Sequence, residues 1–512
     1  PLVSPLFGDV SGLPPSLIFA GKDEVLLDDS RRMHNKLVSS GCTSELVEAE
    51  GMWHAYVLYC IKERACDLDR INAFLNRFLS HERKLRWMRL DNAAKIYPAA
   101  KRRKWNNFFR LSATLCDEVD KTVLRNAMDV TMRRFPSIAV RLCRGAFWYY
   151  LEELSSAPEI TDEKSWPLAH TPFESINECA LRVIVYKNRI AVEFYHALTD
   201  GTGGMVFLKS LLAEYIEQKY GVEIPNECGV LDRLTQPQEE ELEDSFSKNA
   251  GSVSVSRNAS TAFKIHYTPE RDDFRHLTTF ILDSNAALAA AKSCGVSLTV
   301  YLTSAMLLAL QRIQDEQTPD KRRQKPIRVV VPVNLRRLFP SRTLRNFVHV
   351  IMPEIDPRMG DYEFSEILTS VKHQLGLLVT KKNLCAMFTP NVNAERSPLL
   401  RVMPLFLKNI AMKLVYDTVG ERTNCLNLSN LGDIKVPDAM RRYVTRFDFI
   451  LGVQATKPNN CGVLSYNGKL YVNFIRNTVE PVLEFQFYQV LRELGLHVKV
   501  ESNGAGNISD SN

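Results

Sequence analysis

Residues 181–204 read LRVIVYKNRIAVEFYHALTDGTGG, and the fold class turns on this stretch. Two runs rich in β-branched and aromatic residues flank Lys187-Asn188, the pattern of a hairpin. The chain then passes His196 and Asp200 into the glycine-rich 201–204. Beyond it Met205, Leu208, Leu211, Leu212, Tyr215 and Ile216 recur at helical spacing, which predicts a helix to about residue 220. Strand, tight turn and apolar helix in that order predict an α/β layer, with His196 at the point where the sheet stops.

The same mixture recurs downstream. A strand is predicted at 278–282, a helix at 297–313, a buried strand at 328–333, a hairpin around Tyr466-Asn-Gly468 and a last helix at 482–494. Upstream, residues 1–81 alternate differently. A continuous apolar run at 16–20 ends at Gly21, a helix follows Asp28-Asp-Ser30 to Ser39, a second short strand covers 44–47, and an amphipathic helix fills 58–79. The chain of 512 residues is too long for one ordinary core.

Composition divides it further. Residues 83–104 carry nine Lys/Arg against one Asp and read as a basic linker, so that a chain beginning near Ala94 is expected to fold. Residues 236–262 are acidic and then Ser/Asn-rich, an exposed crossover. The expected organisation is therefore a module at 1–82, the linker, a lobe at 105–235, the crossover, a second lobe at 263–501 and a disordered tail at 502–512.

Several function classes are excluded or weakened. Hydrophobic residues make up 45% and charged residues 24%, globular proportions, and no apolar run approaches the length of a membrane span. A net charge of +6 is too mild to argue for nucleic acid. Eleven cysteines sit singly, without zinc spacing, so no metal site is assigned and a reduced, cytoplasmic setting is expected. The triplets Asn258-Ala-Ser260 and Asn427-Leu-Ser429 fit a glycosylation pattern that also arises by chance, and there is no P-loop or dinucleotide fingerprint. Arg102-Arg-Lys104 and Lys321-Arg-Arg323 are short basic runs of the kind that solvated loops carry.

The chemistry-bearing residues form two constellations. In the first, an imidazole at a strand end can take a proton from a hydroxyl or amine near neutral pH, and Asp200 can fix the loop. His196-x-x-x-Asp200-Gly201, Val331-Pro-Val-Asn-Leu-Arg336 with Arg345-Asn-Phe347, and Leu428-Ser-Asn-Leu-Gly432 occur in order, with a helix at 296–305 between them. Together they resemble the chloramphenicol-acetyltransferase-like superfamily, which includes alcohol acetyltransferases, plant-type acyltransferases and condensation domains. The resemblance spans 105–500 and is nearest to bacterial alcohol-acetyltransferase-like proteins. It implies two lobes and an acyl group moved from acyl-CoA, a co-substrate rather than a tightly bound cofactor, to a small-molecule hydroxyl or amine acceptor. His196 would be the general base and Asp200 structural, with Gly201, Asn346, Ser429 and Asn430 on the substrate side. Two departures stand out: Tyr195 replaces the second histidine of many members, and Arg446-Phe-Asp-Phe-Ile-Leu-Gly452 lies where plant-type members carry another motif.

The second constellation is Gly21-Lys-Asp-Glu24 with Glu50-Gly-Met-Trp-His54. A carboxylate after one strand and a histidine after the next is where an α/β-hydrolase keeps its last two triad members. The stretch resembles the C-terminal end of the hormone-sensitive-lipase-like esterases. That resemblance implies Glu24 as acid, Asp23 as the alternative, and His54 as base. No G-x-S-x-G or H-G-G sequence accompanies them, so acyl-enzyme chemistry is not expected from this piece. The expectation is a truncated hydrolase whose intact chain would be a carboxylesterase, fused to a complete acyltransferase. The non-enzymatic alternative is a condensation-like domain that only binds an acyl or peptidyl partner.

Overall fold

The computed structural model describes residues 4–59, 61–78, 85–99, 107–253, 255, 260–271, 273–454 and 457–504. The chain divides into two compact units, Pro1–Leu85 and Arg86–Asn512.

In the first unit, strands Ser16–Gly21 and Ser44–Ala49 pair in parallel, connected by the helix Leu27–Ser39. Asp28 and Asp29 lie inside that helix's first turn and do not cap it, favourable positions for acids beside the positive end of the helix dipole. The helix expected over 58–79 begins later, at Ala65, and runs to Phe78. Gly21 sits where a Cβ would lie 2.0 Å from the carbonyl oxygen of Met52. Only glycine lets the 52–54 turn close onto this strand end.

The second unit carries three sheets. A five-stranded sheet orders Val444–Leu451, Phe108–Leu115, Arg189–Tyr195, Leu181–Tyr186 and Ile160–Asp162. An eight-stranded sheet is built from residues 276–502, with Leu426–Asp433, Asn459–Tyr466, Lys469–Arg476 and His276–Asp283 side by side. Trp87–Arg89, Tyr149–Glu153 and Val140–Arg144 form the third. Helix Gly201–Tyr220 is buried along nearly its whole length, which is why its apolar residues are not confined to one stripe. Strand Val444–Leu451, from the C-terminal half, pairs antiparallel with Phe108–Leu115, so the two lobes are not the contiguous spans 105–235 and 263–501. The carbonyl of Phe449 on this strand would lie 2.3 Å from a Cβ on Gly462, and that glycine lets the strand pass close against a central strand of the larger sheet.

Two composition-based boundaries are corrected. Within 83–104, the segment read as a basic linker, Trp87–Arg89 pairs with Tyr149–Glu153, Leu90 and Ala94 are core residues, and Asp91 is fully buried. The charges that dominate its composition sit at the margins, and the apolar residues between them pack. Arg102-Arg-Lys104 lies outside the described residues. Among the described residues of 236–262 the crossover is not exposed throughout: Glu241, Ser245, Phe246 and Ala262 are buried, while 238–240 and 251–253 remain at the surface. Glu241 forms a bidentate ion pair with Arg134, at 2.6 and 2.7 Å, inside the protein, and Phe246 joins a core cluster with Phe347 and Phe388. At the C-terminus, Lys499–Ser502 pairs with His276–Asp283. Most of the expected tail, 505–512, lies outside the described residues, as does Asn258 of the first glycosylation triplet.

Candidate active site

His196 follows the last residue of strand Arg189–Tyr195, and its amide donates to the carbonyl of Asn107, 2.7 Å away. Its ring stacks on Tyr97 with centroids 4.8 Å apart and meets the edge of Phe109 at 5.0 Å. Nδ1 is buried without a hydrogen bond, although the residue as a whole keeps some exposure. The residue's remaining exposure therefore lies on atoms other than Nδ1. Burial holds the pKa of His196 below the ordinary imidazole value; its own carbonyl, Asp200 and Asn346 pull more weakly the other way.

Asp200 is buried. One carboxylate oxygen caps helix Gly201–Tyr220, accepting from the amides of Thr202 at 3.1 Å and Gly203 at 3.0 Å. The other accepts from Nη1 of Arg336 at 2.8 Å and from the amide of Phe347 at 2.9 Å. Arg336 also donates through Nε to the carbonyl of Thr343 at 2.9 Å. Asp200 thus ties the loop after His196 to the 334–347 segment, a positioning role.

Asn346, expected on the substrate side, lies behind the histidine. Its side-chain amide donates to the carbonyl of His196 at 3.0 Å and to Asp91 at 3.2 Å. Burial pushes the Asp91 carboxyl up to about 6, against the pull of Arg345. Gly201 makes room rather than contacts: a Cβ there would sit 2.7 Å from Leu431. Asn430 braces the end of its own strand, donating to Thr299 at 3.2 Å and accepting from the amide of Gly432 at 2.8 Å. Ser429 is half-buried on that strand, opposite Gly462 of the next. Tyr97, Phe109, Asn107 and Asp91 were missed by the sequence reading. The interruption of a basic run by Leu90-Asp91 and Ile96-Tyr97 could have signalled Asp91 and Tyr97, while no local feature marks Asn107 or Phe109.

In the first unit, His54 Nδ1 lies 2.9 Å from Glu24 Oε2. The Glu24 side chain is 5% exposed and that of His54 is 70% exposed. The strand-end turn at Gly21 and a left-handed Ala55 (φ 56°) bring the two together. Asp23, the alternative acid, uses its amide to bind the carbonyl of Met52. Among the described residues, no group of three His, Cys, Asp or Glu could hold a metal ion, and no single helix is long and apolar enough to cross a membrane.

Comparison with known proteins agrees with this division. Residues 1–58 match a family described as having the alpha/beta hydrolase fold. An esterase of Acinetobacter venetianus and an acetyl-hydrolase of Streptomyces hygroscopicus are each 41% identical over 59 residues, 12% of this chain and 20% of the relative. The chain therefore spans about a fifth of the length of those curated relatives. For the rest, similarity is one of fold. Polyketide synthase associated protein 5 from Mycobacterium tuberculosis superposes with a TM-score of 0.51 at 13% identity, covering 80% of this chain and 98% of that one. The epimerization domain from the third module of tyrocidine synthetase B gives 0.51 at 13%, covering 80% and 96%. The starter condensation domain of rhizomide synthetase, solved with C8-CoA and Leu-SNAC, gives 0.50 at 10%, covering 80% and 93%. The second unit thus shares the fold of these condensation and epimerization domains, and the residues 1–58 that precede it match the alpha/beta hydrolase fold.

Proposed function

We propose that the second unit is an acyl-CoA-dependent acyltransferase with His196 as general base. The observation that carries this reading is the state of His196: a strand-end imidazole held between Tyr97 and Phe109, biased by burial toward its neutral form. Nε2 removes the proton from an acceptor hydroxyl or amine as that atom attacks the thioester carbonyl. The imidazolium then returns the proton to the departing thiolate, so the products are an ester or amide and free CoA. Support for CoA as the carrier comes from C8-CoA in the complex of the rhizomide synthetase domain. The chain would work in the cytoplasm, where acyl-CoA is available, without a resident cofactor.

A second reading concerns the first unit. The Glu24–His54 pair at 2.9 Å favours the acid and base of an esterase, active only in a chain that also supplies a nucleophile and oxyanion donors. The test for the main reading is free-thiol release from acyl-CoA in the presence of alcohols and amines. Acceptor-dependent release with one acylated product per thiol is expected. Saturable acyl-CoA binding without any turnover would replace the reading with a non-catalytic binding domain.

A further inference from the structure

Two restraints on His196 lead back to one carboxylate. Strand Trp87–Arg89 delivers Leu90 and Asp91 into the interior, where both are buried, Asp91 completely. Oδ1 of Asp91 accepts from the amide of Ala94 at 2.7 Å and so closes the turn at 92–95. The carbonyl of Ala94 accepts in its turn from the amide of Tyr97 at 3.2 Å, in helix Ile96–Ala99. Asp91 therefore sets where the Tyr97 ring stands, and that ring stacks on His196. Oδ2 serves the other restraint. It accepts from the main-chain amide of Asn346 at 3.3 Å and from the side-chain amide at 3.2 Å. The same side-chain nitrogen gives its second proton to the carbonyl of His196 at 3.0 Å. The last torsion of an asparagine is broad and two-fold, so an acceptor at the place of Asp91 fixes which end of the amide faces His196.

The charge is a costly way to hold this corner together. Arg345 brings its Nε only to 3.8 Å from Oδ2, and its terminal nitrogens donate to the carbonyls of Leu242 and Arg89. Burial pushes the Asp91 carboxyl up, and the negative charge of Asp244 adds to that. A buried carboxylate so weakly countered is worth less to stability than apolar filling of the same space. What it contributes is the direction of its acceptors. Nor does its charge act on the imidazole directly. The groups that raise the proton affinity of His196 are its own carbonyl, Asp200 and the Asn346 amide, and Asp91 is not among them. A change at Asp91 reaches the ring through Asn346 or through Tyr97.

We propose that Asp91 is a positioning residue for the reaction of His196: it aims the side-chain amide of Asn346 at the histidine's carbonyl and seats Tyr97 against its ring. The role rests on the general-base reading of His196, and the brace itself is also measured without turnover.

The experiment compares Asp91→Asn and Asp91→Ala in the full chain, by thiol release from acyl-CoA and by NMR titration of isotope-labelled histidine, with the His196 signal assigned from His196→Ala. Thiol release is read at about pH 8, above the ordinary imidazole pKa of ~6.5, so a fall in kcat reports geometry rather than protonation. Asparagine still accepts from Ala94 but turns an N–H toward Asn346, which breaks the main-chain clamp alone. Its kcat should fall roughly tenfold, and that of Asp91→Ala, which breaks both restraints, about 10²-fold, with KM for acyl-CoA little changed. The titration separates positioning from mere loosening. Losing the Asn346 amide removes a group that raises the pKa of His196, so Asp91→Asn should move the midpoint down. Asp91→Ala also uncovers the ring and relieves the burial that dominates, so its midpoint should move up. General loosening would expose the ring and raise both. A folded Asp91→Asn with unaltered kcat, or with its midpoint unmoved or raised, overturns the proposal, and this near-isosteric variant decides alone where alanine fails to fold. If the unaltered chain releases no thiol, the acyltransferase reading falls, and the Asp91→Asn midpoint still decides whether Asp91 holds the imidazole.

Discussion

Each unit pairs a histidine with a carboxylate, and the two pairs are wired in opposite ways. In the first, Glu24 holds Nδ1 of a largely exposed His54 directly. In the second, Asp200 lies only four positions from His196 but spends all four of its hydrogen bonds on the helix amides, Arg336 and Phe347. There the imidazole is oriented by ring stacking and by clamps on its own main chain. A carboxylate near a histidine in sequence is thus not evidence of a dyad. Competition for its lone pairs decides, and a helix N-terminus with a partly buried guanidinium wins over an imidazole that burial keeps neutral.

The largest expected effect tests this contrast at its centre. His196→Ala should cut thiol release by roughly 10²–10⁴-fold with the melting temperature retained, whereas His54→Ala should leave it unchanged. Equal losses in both would show that the two histidines serve one reaction. Asp200→Asn comes next. It leaves Arg336 without its buried counter-charge, so stability should fall by about 3–5 kcal/mol with activity falling alongside. Lost activity with an unaltered melting curve would give Asp200 a direct chemical role.

A chain beginning at Ala94 should melt well below one beginning at Arg86, since it lacks the strand Trp87–Arg89 and the Asp91 contacts to Asn346. Equal melting temperatures would restore the view of 83–104 as a mere linker. The smallest effect is one of pH. Because burial lowers the pKa of His196, the base stays neutral below the ordinary ~6.5, and the acid limb of kcat/KM should fall on the acidic side of that value. An acid limb above it would point to an anion that stabilises the imidazolium rather than to the buried, stacked ring described here.

Local patterns carried much of this protein. The hairpin Leu181–Tyr195, the helix to Tyr220 and the parallel strands around Gly21 depend on neighbours two to four residues apart, and periodicity reports such neighbours directly. Strand-end positions and turn signals placed the candidate base and both carboxylates in the chain, but their roles came from the resemblance to known families. Composition misled where few residues decide packing. Asp91 and Glu241 lie in charge-rich stretches, yet each is buried because a partner more than 100 positions away meets it, Asn346 for the one and Arg134 for the other. The strand Val444–Leu451 joins the N-terminal sheet through pairings over 300 residues apart. Which residues lie in strands and helices was set by the order of side chains along the chain. Which carboxylate serves a histidine, and what orients His196, was decided only by tertiary contacts, because hydrogen-bond partners and burial belong to three-dimensional neighbours that no local spacing records.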